Sequence, residues 1–199
     1  MHLEIDRLIL LRKKERTVKE GQIDLRPLKQ NDIQGMLEWM HDPEVNCFFR
    51  FDASNMTEAK AKAFVENSEK ELNEKRSFNF AIVDENDEYL GTISLKDIDW
   101  GAKVAEYAIS LRSVAQGKGT ATIATKMILE FAFEQLKLNR VFLNVLSENE
   151  KAIHLYEKCG FIYEGEFREH LFLRGELRNL KWYSILRREY FEKRGRSNE

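Results

Sequence analysis

Residues 114–126 read VAQGKGTATIATK, with two glycines among small residues between an alternating stretch and a helical one. Before it, KVAEYAISLR (103–112) alternates with period two and reads as a strand. After it, Ile123, Ala124, Met127, Ile128 and Phe131 fall on one stripe of a helix over 120–136, and Thr122, Lys126, Glu130 and Glu134 on another. A strand, a glycine loop and a helix in that order gather unpaired N–H groups and the positive end of a helix dipole at one point, which suits a phosphate. Gly117 and Gly119 allow close backbone approach and positive φ there. Two better-known phosphate loops do not fit. A Walker loop needs a glycine five residues before Gly117-Lys118, and a dinucleotide fingerprint needs a third glycine where Thr122 stands.

Working outward, QIDLRPL (22–28) reads as a strand stopped near Pro27, followed by a helix capped by Asn31 or Asp32 with Ile33, Met36, Leu37 and Met40 at helical spacing. Thr57 caps a second helix to about Lys75, with Ala61, Phe64, Val65, Ser68 and Leu72 on its inner side. FNFAIVDENDEYLGTISLKDID predicts two strands around turn residues 84–87. Downstream, RVFLNVL (140–146) is a strand. SENEKAIHLYEKCG (147–160) is a helix with Ser147 and Glu150 at capping-box spacing and Gly160 as its left-handed end. FIYEGEFREHLFL and ELRNLKWYSIL form a closing hairpin about Arg174-Gly175. The expected fold class is α/β, a mixed and largely antiparallel sheet flanked by helices.

The 199 residues carry 32 basic and 34 acidic side chains, a formal net charge of −2 that excludes a nucleic-acid footprint. No Pro/Gly/Ser linker divides the chain, so one domain over 22–190 is expected, with an extension at 1–21 and a polar tail at 191–199. The first apolar run, of four residues, is too short for a signal core or a membrane span, and a cytosolic location is expected. Cys47 and Cys159 stand far apart with no histidine cluster, which points to reduced thiols and no metal.

Gln116 to Ala121 also follow the order Q-x-x-G-x-A, and NEKAIHLYEKCGF (149–161) follows N-x-x-A-x-x-L-Y-x-K-x-G-F. In these two segments, in this order, the chain resembles the GCN5-related N-acetyltransferase family. Residues 104–182 carry the resemblance most strongly. With EYAISLR and GELRNLKWYSIL added, the chain is most similar to the branch of spermidine, ribosomal-protein and amino-sugar-nucleotide N-acetyltransferases. The resemblance implies that fold, acetyl-CoA as co-substrate, and acetyl transfer to a small-molecule amine or a peptide N-terminus. It implies that the pyrophosphate lies on the N–H groups of Gln116, Gly117, Lys118, Gly119, Thr120 and Ala121. The pantetheine would then run along Ile109, Ser110 and Leu111, near Asn149 and Ala152, and a homodimer is expected.

An amine attacking a thioester must be neutral, and lysine-type amines titrate near about 10.4, so a carboxylate is a suitable base. Glu106 is the candidate, on the strand face of Val104 and Ala108; an ordinary surface glutamate would fit the same position. The departing thiolate needs a proton, and Tyr156 matches the family's tyrosine donor, although its helix stripe would also account for it as packing. Asn149 fits either a pantetheine contact or a helix cap. His154 points off this face, while His170 can line the acceptor side. The competing class is a non-catalytic acyl-CoA-binding domain. Trp39, residues 43–52, Asp97, Asp99 and Glu169 are expected around the acceptor, where carboxylates would favour a polyamine and Arg50 or Arg168 with an aromatic shelf a nucleotide sugar.

Overall fold

The computed structural model describes residues 23–51, 53 and 55–196; the extension at 1–21 lies outside the described residues. Among the described residues seven strands form one sheet: β1 Asp24–Pro27, β2 Phe78–Val83, β3 Tyr89–Asp99, β4 Val104–Leu111, β5 Arg140–Leu146, β6 Ile162–Leu173 and β7 Glu176–Leu186. Their order is β1-β2-β3-β4-β5-β7-β6, and only β4 and β5 pair in parallel. A parallel pair needs a crossover, supplied here by α3 (Thr120–Glu130) and the π-helical turn Phe131–Gln135 that continues it. The other helices are α1 (Ile33–His41), α2 (Glu58–Glu74), α4 (Glu150–Cys159) and α5 (Arg187–Arg196), with a single helical turn at Pro43–Asn46.

Strand alternation sorts the side chains onto two faces. On one, Phe78, Phe80, Ile82, Ile93, Leu95, Tyr107, Leu143 and Ile185 form the main core with Ile128, Leu129 and Phe133 of the crossover and Tyr156 of α4. On the other, Ala81, Val83 and Tyr89 meet Ile33, Met36, Trp39 and Met40 of α1 and Ala61 and Val65 of α2. Thr57 caps α2 as its sequence predicts, its hydroxyl accepting from the Lys60 amide at 3.3 Å. Phe64 departs from its expected inner position and is 38% exposed.

Three local expectations are corrected. The Asp32 carboxylate does not cap α1; it accepts from the Lys29 amide at 2.7 Å and takes a two-pronged contact from the Arg26 guanidinium, both bonds 2.8 Å. Ser147 does not cap α4, because its hydroxyl bonds Glu166 at 2.8 Å and Asn149 is the cap residue instead. The basic carboxyl-terminal segment, read as a solvated tail, folds as α5. Tyr190 packs on Phe133 with ring centroids 5.1 Å apart, and Arg194 pairs with Glu134.

Phe133 thus joins the crossover to the core and to α5. Its replacement by alanine is expected to lower unfolding free energy by about 3–5 kcal/mol, read from urea denaturation, because a fully buried ring leaves a cavity. A loss below about 1 kcal/mol would mean that the crossover collapses onto the sheet without it.

Candidate active site

The parallel ladder between β4 and β5 is short. Register runs Val104↔Arg140, Ala105↔Val141 and Glu106↔Phe142 and goes no further, although β4 continues to Leu111 and β5 to Leu146. Beyond Glu106 the strands therefore diverge as a fork. The Arg112 amide bonds the Leu90 carbonyl at 2.9 Å, which fixes the even-numbered residues of β4 as the hydrogen-bonded partners of β3. The Tyr107 amide consequently closes the last step of the ladder on β5, and the amides of Ile109 and Leu111 point into the fork. Ser110 directs its own amide the other way, towards β3, so Ile109 and Leu111 are the residues of this trio whose backbone can pair with an extended ligand.

At the end of β4 the chain turns through residues 113–119 into α3. Gly117 (φ 72°) and Gly119 (φ 81°) both adopt left-handed backbone, and no protein atom lies within 4 Å of a Cβ built on either. The first helical bond runs from Ile123 N–H to Gly119 carbonyl at 3.1 Å, leaving the first-turn amides of Thr120, Ala121 and Thr122 without intrahelical partners. Among the described residues the amides of Gly117, Lys118 and Gly119 also meet no protein acceptor. Gln116 is different. Its amide bonds the Ser113 carbonyl at 3.1 Å, and its side-chain Nε2 donates to the Leu111 carbonyl at 3.4 Å. The open cradle therefore spans 117–122 rather than 116–121, with Gln116 tying the loop to the strand. Open space and unspent donors at a helix start fit a pyrophosphate.

Two tyrosines sit side by side beneath the fork, and their hydroxyls differ. Tyr107 and Tyr156 meet edge to face at 5.8 Å, each also against Phe161. The Tyr107 hydroxyl is engaged by Thr125 Oγ1 at 2.7 Å, and burial pushes its phenol well above the ordinary value. Among the described residues the Tyr156 hydroxyl has no hydrogen-bond partner. Burial pushes its phenol up to about 12, with the Arg50 guanidinium pulling the other way and the Cys159 thiol adding to the rise. A phenol so held stays protonated at working pH, as an ordinary phenol also does.

Glu106 projects from the opposite sheet face, where Arg50 Nη2 donates to its Oε1 at 2.6 Å and Lys96 Nζ stands 3.4 Å from the same oxygen. The Arg50 guanidinium reaches on to Asn144 Oδ1 of β5 at 2.6 Å, so it bridges both arms of the fork. Among the described residues Oε2 of Glu106 carries no protein hydrogen bond. The wall on the β5–β7 side is aromatic: Phe142 stacks on Trp182 at 5.9 Å, Phe167 leans on Trp182 at 5.3 Å, and His170 meets Phe167 at 5.2 Å. Asn149 caps α4, its Oδ1 accepting from the Ala152 amide at 3.2 Å. His154 is exposed, as expected. Lys96 and Asn144 were not singled out in the sequence, although Asn144 is the one polar residue among the last five positions of an apolar strand.

The geometry is that of an acyltransferase fork, and comparison gives it a family. The Acetyltransferase (GNAT) domain profile matches residues 22–162, and the chain belongs to that family. It is similar to spermidine N(1)-acetyltransferase of Vibrio cholerae, at 31% identity over 176 residues, covering 87% of this chain and 98% of the relative. The spermidine N(1)-acetyltransferase of Escherichia coli strain K12 is 34% identical over 174 residues, covering 84% and 88%. A crystal structure of spermidine N-acetyltransferase from Vibrio cholerae in complex with CoA and spermine aligns with a TM-score of 0.77 at 27% identity, over 85% of this chain and 98% of that one. The chain is thus an acetyl-CoA-dependent N-acetyltransferase. Among the described residues no cluster of three His, Cys, Asp or Glu could hold a metal, and no helix is long and apolar enough to cross a membrane.

The state of Tyr156 can be read directly. In an alkaline titration of phenolate absorbance, Tyr156→Phe and the parent protein should coincide up to about pH 11, because the missing phenol titrates near about 12. A phenolate signal lost from the variant near pH 10 would show a solvated hydroxyl instead.

Proposed function

We propose that the protein transfers the acetyl group of acetyl-CoA directly to a primary amine held in the β4–β5 fork, with Tyr156 as general acid and Glu106 as base. The observation that carries this reading is the Tyr156 hydroxyl, buried beside the fork and, among the described residues, without a hydrogen-bond partner. Names of the similar relatives make spermidine the reference acceptor.

In this reading the amides of 117–122 take the pyrophosphate and the backbone of Ile109 and Leu111 receives the pantetheine. Oε2 of Glu106 removes a proton from the incoming amine, directly or through water, while Oε1 stays on Arg50. Nitrogen attacks the thioester carbonyl, and a backbone N–H of β4 directed into the fork steadies the oxyanion. The C–S bond then breaks, the thiolate, of ordinary pKa about 8.5, takes the Tyr156 proton, and the second proton of the attacking nitrogen returns to the tyrosinate, directly or through water. The products are an N-acetyl amine and free CoA. A homodimer remains part of the proposal; β6 is an edge strand on which Phe167 and Phe172 are exposed.

Tyr156→Phe keeps the ring and removes the hydroxyl, so kcat should fall roughly 10²- to 10⁴-fold with melting temperature and acetyl-CoA KM little changed. A folded variant keeping more than about half of its single-turnover rate would contradict the acid assignment. Glu106→Gln should lower turnover by a factor that shrinks as pH rises and more acceptor becomes neutral. Calorimetry with CoA tests the cradle: Gly119→Glu should weaken binding far more than Lys118→Ala, since it sets bulk and negative charge where the open space lies. Equal losses would mean that side-chain charge holds the pyrophosphate.

A further inference from the structure

The acceptor mouth of the fork is guarded by a cation. Arg50 lies between the helical turn Pro43–Asn46 and α2, far from both of its partners in sequence, yet its guanidinium spans Glu106 on β4 and Asn144 on β5. The segment that presents it is anchored at several points. Phe49 meets Trp39 edge to face at 5.3 Å and stacks on Phe51 at 5.5 Å. Arg174, in the β6–β7 turn, donates to the carbonyls of Asn46 at 2.7 Å and Cys47 at 2.8 Å. Arg50 therefore stands at a defined place beside the reacting centre while its side chain stays 35% exposed and reachable.

Among the described residues the ion-pair cluster at this mouth carries more positive than negative charge. Among the described residues bound together there, Arg50 and Lys96 share one carboxylate, that of Glu106. Among the described residues in this ion-pair cluster, a polycation would meet two like charges around the Glu106 carboxylate. An amine that also carries an anion would meet an arginine whose second arm is spent on Asn144, a neutral acceptor that an oxyanion outcompetes, since bonds between ionised groups are shorter and roughly twice as strong. The planar fork of a guanidinium can hold Glu106 on one nitrogen and such an anion on the other.

We propose that Arg50 is the specificity-determining residue of the acceptor site, taking a carboxylate or phosphate carried by the acceptor beside its reacting amine, so that acidic amines are acetylated in preference to polyamines. This rests on the transferase reading above and narrows its acceptor. Asn144 is the partner released, and Glu106 keeps its bond to Arg50 throughout.

The test measures kcat/KM with acetyl-CoA for an amino-sugar phosphate and for a dipeptide with an acidic second residue, each against its uncharged analogue, and for spermidine. In the parent enzyme one anionic acceptor should exceed its uncharged analogue by roughly 10- to 100-fold, as expected for a charged hydrogen bond, and should exceed spermidine. Which of the two does so identifies the anion as phosphate or carboxylate. Arg50→Ala should bring the anionic-to-neutral ratio close to one, and Arg50→Lys, which keeps charge without the two-armed geometry, should restore part of it. An unchanged ratio in Arg50→Ala, or spermidine as the preferred acceptor of the parent enzyme, overturns the proposal and leaves the transferase reading intact. No thiol release with any amine removes that reading and this proposal with it.

Discussion

Everything at the site follows from where two parallel strands stop pairing. β4 and β5 share three registered positions and then separate at Glu106 and Phe142. An unpaired strand interior normally leaves N–H and C=O groups unsatisfied, and that is tolerable only where a ligand or water takes them. The fork is thus a local deficit in the sheet that an extended, amide-bearing ligand can complete. The crossover helix that the parallel pairing requires starts at the loop following the open strand, so the donor cradle and the open strand edge come from one topological necessity.

Two layers of protein meet across that gap with opposite chemistry. Below it lie the apolar core, the edge-to-face tyrosines and a phenol whose pKa burial raises. Above it lie ionised groups, Arg50, Lys96 and Glu106, open in part to water. Arg50 is sensed from the lower layer, where it opposes the rise of the Tyr156 phenol. Tyr156 and Glu106 are therefore kept on opposite faces of the sheet, and desolvation is the main cause of the raised Tyr156 phenol.

The cradle was legible in the sequence because it is local. A change of hydrophobic period from two to 3.6 across a pair of glycines is written in consecutive residues, and so are the Gly160 helix end and the Arg174-Gly175 turn, both of which adopt left-handed backbone. Contacts between distant residues leave no such trace. Arg50 meets Glu106 56 positions away and Asn144 94 positions away, and nothing in the intervening pattern encodes the pairing. Ser147 and Asn149 are both sound cap residues, and the choice was made by Glu166, a carboxylate on the later hairpin that claims the serine hydroxyl. The last helix was hidden by its charge; only Tyr190 and Phe191 hinted at a buried side. Tyr156 was singled out by motif, but the hydroxyl without a hydrogen-bond partner among the described residues, which separates it from Tyr107, is a property of the packed structure.

The π-helical turn at Phe131–Gln135 carries a constraint of another kind. Phe131 faces Phe78 and Phe80 of the sheet, at 5.2 and 5.6 Å, while Phe133 two positions later serves Tyr190 of α5. The wider turn holds one more residue than an α-helical turn, so removing one residue there and closing the helix would rotate everything after it by about 100° relative to α3. Phe131 would keep its partners and Phe133 would lose its own. The irregularity thus acts as a phase shifter between α3 and the carboxyl-terminal helix. Sequences sharing this arrangement are expected to tolerate substitutions in the turn far better than a change in its length.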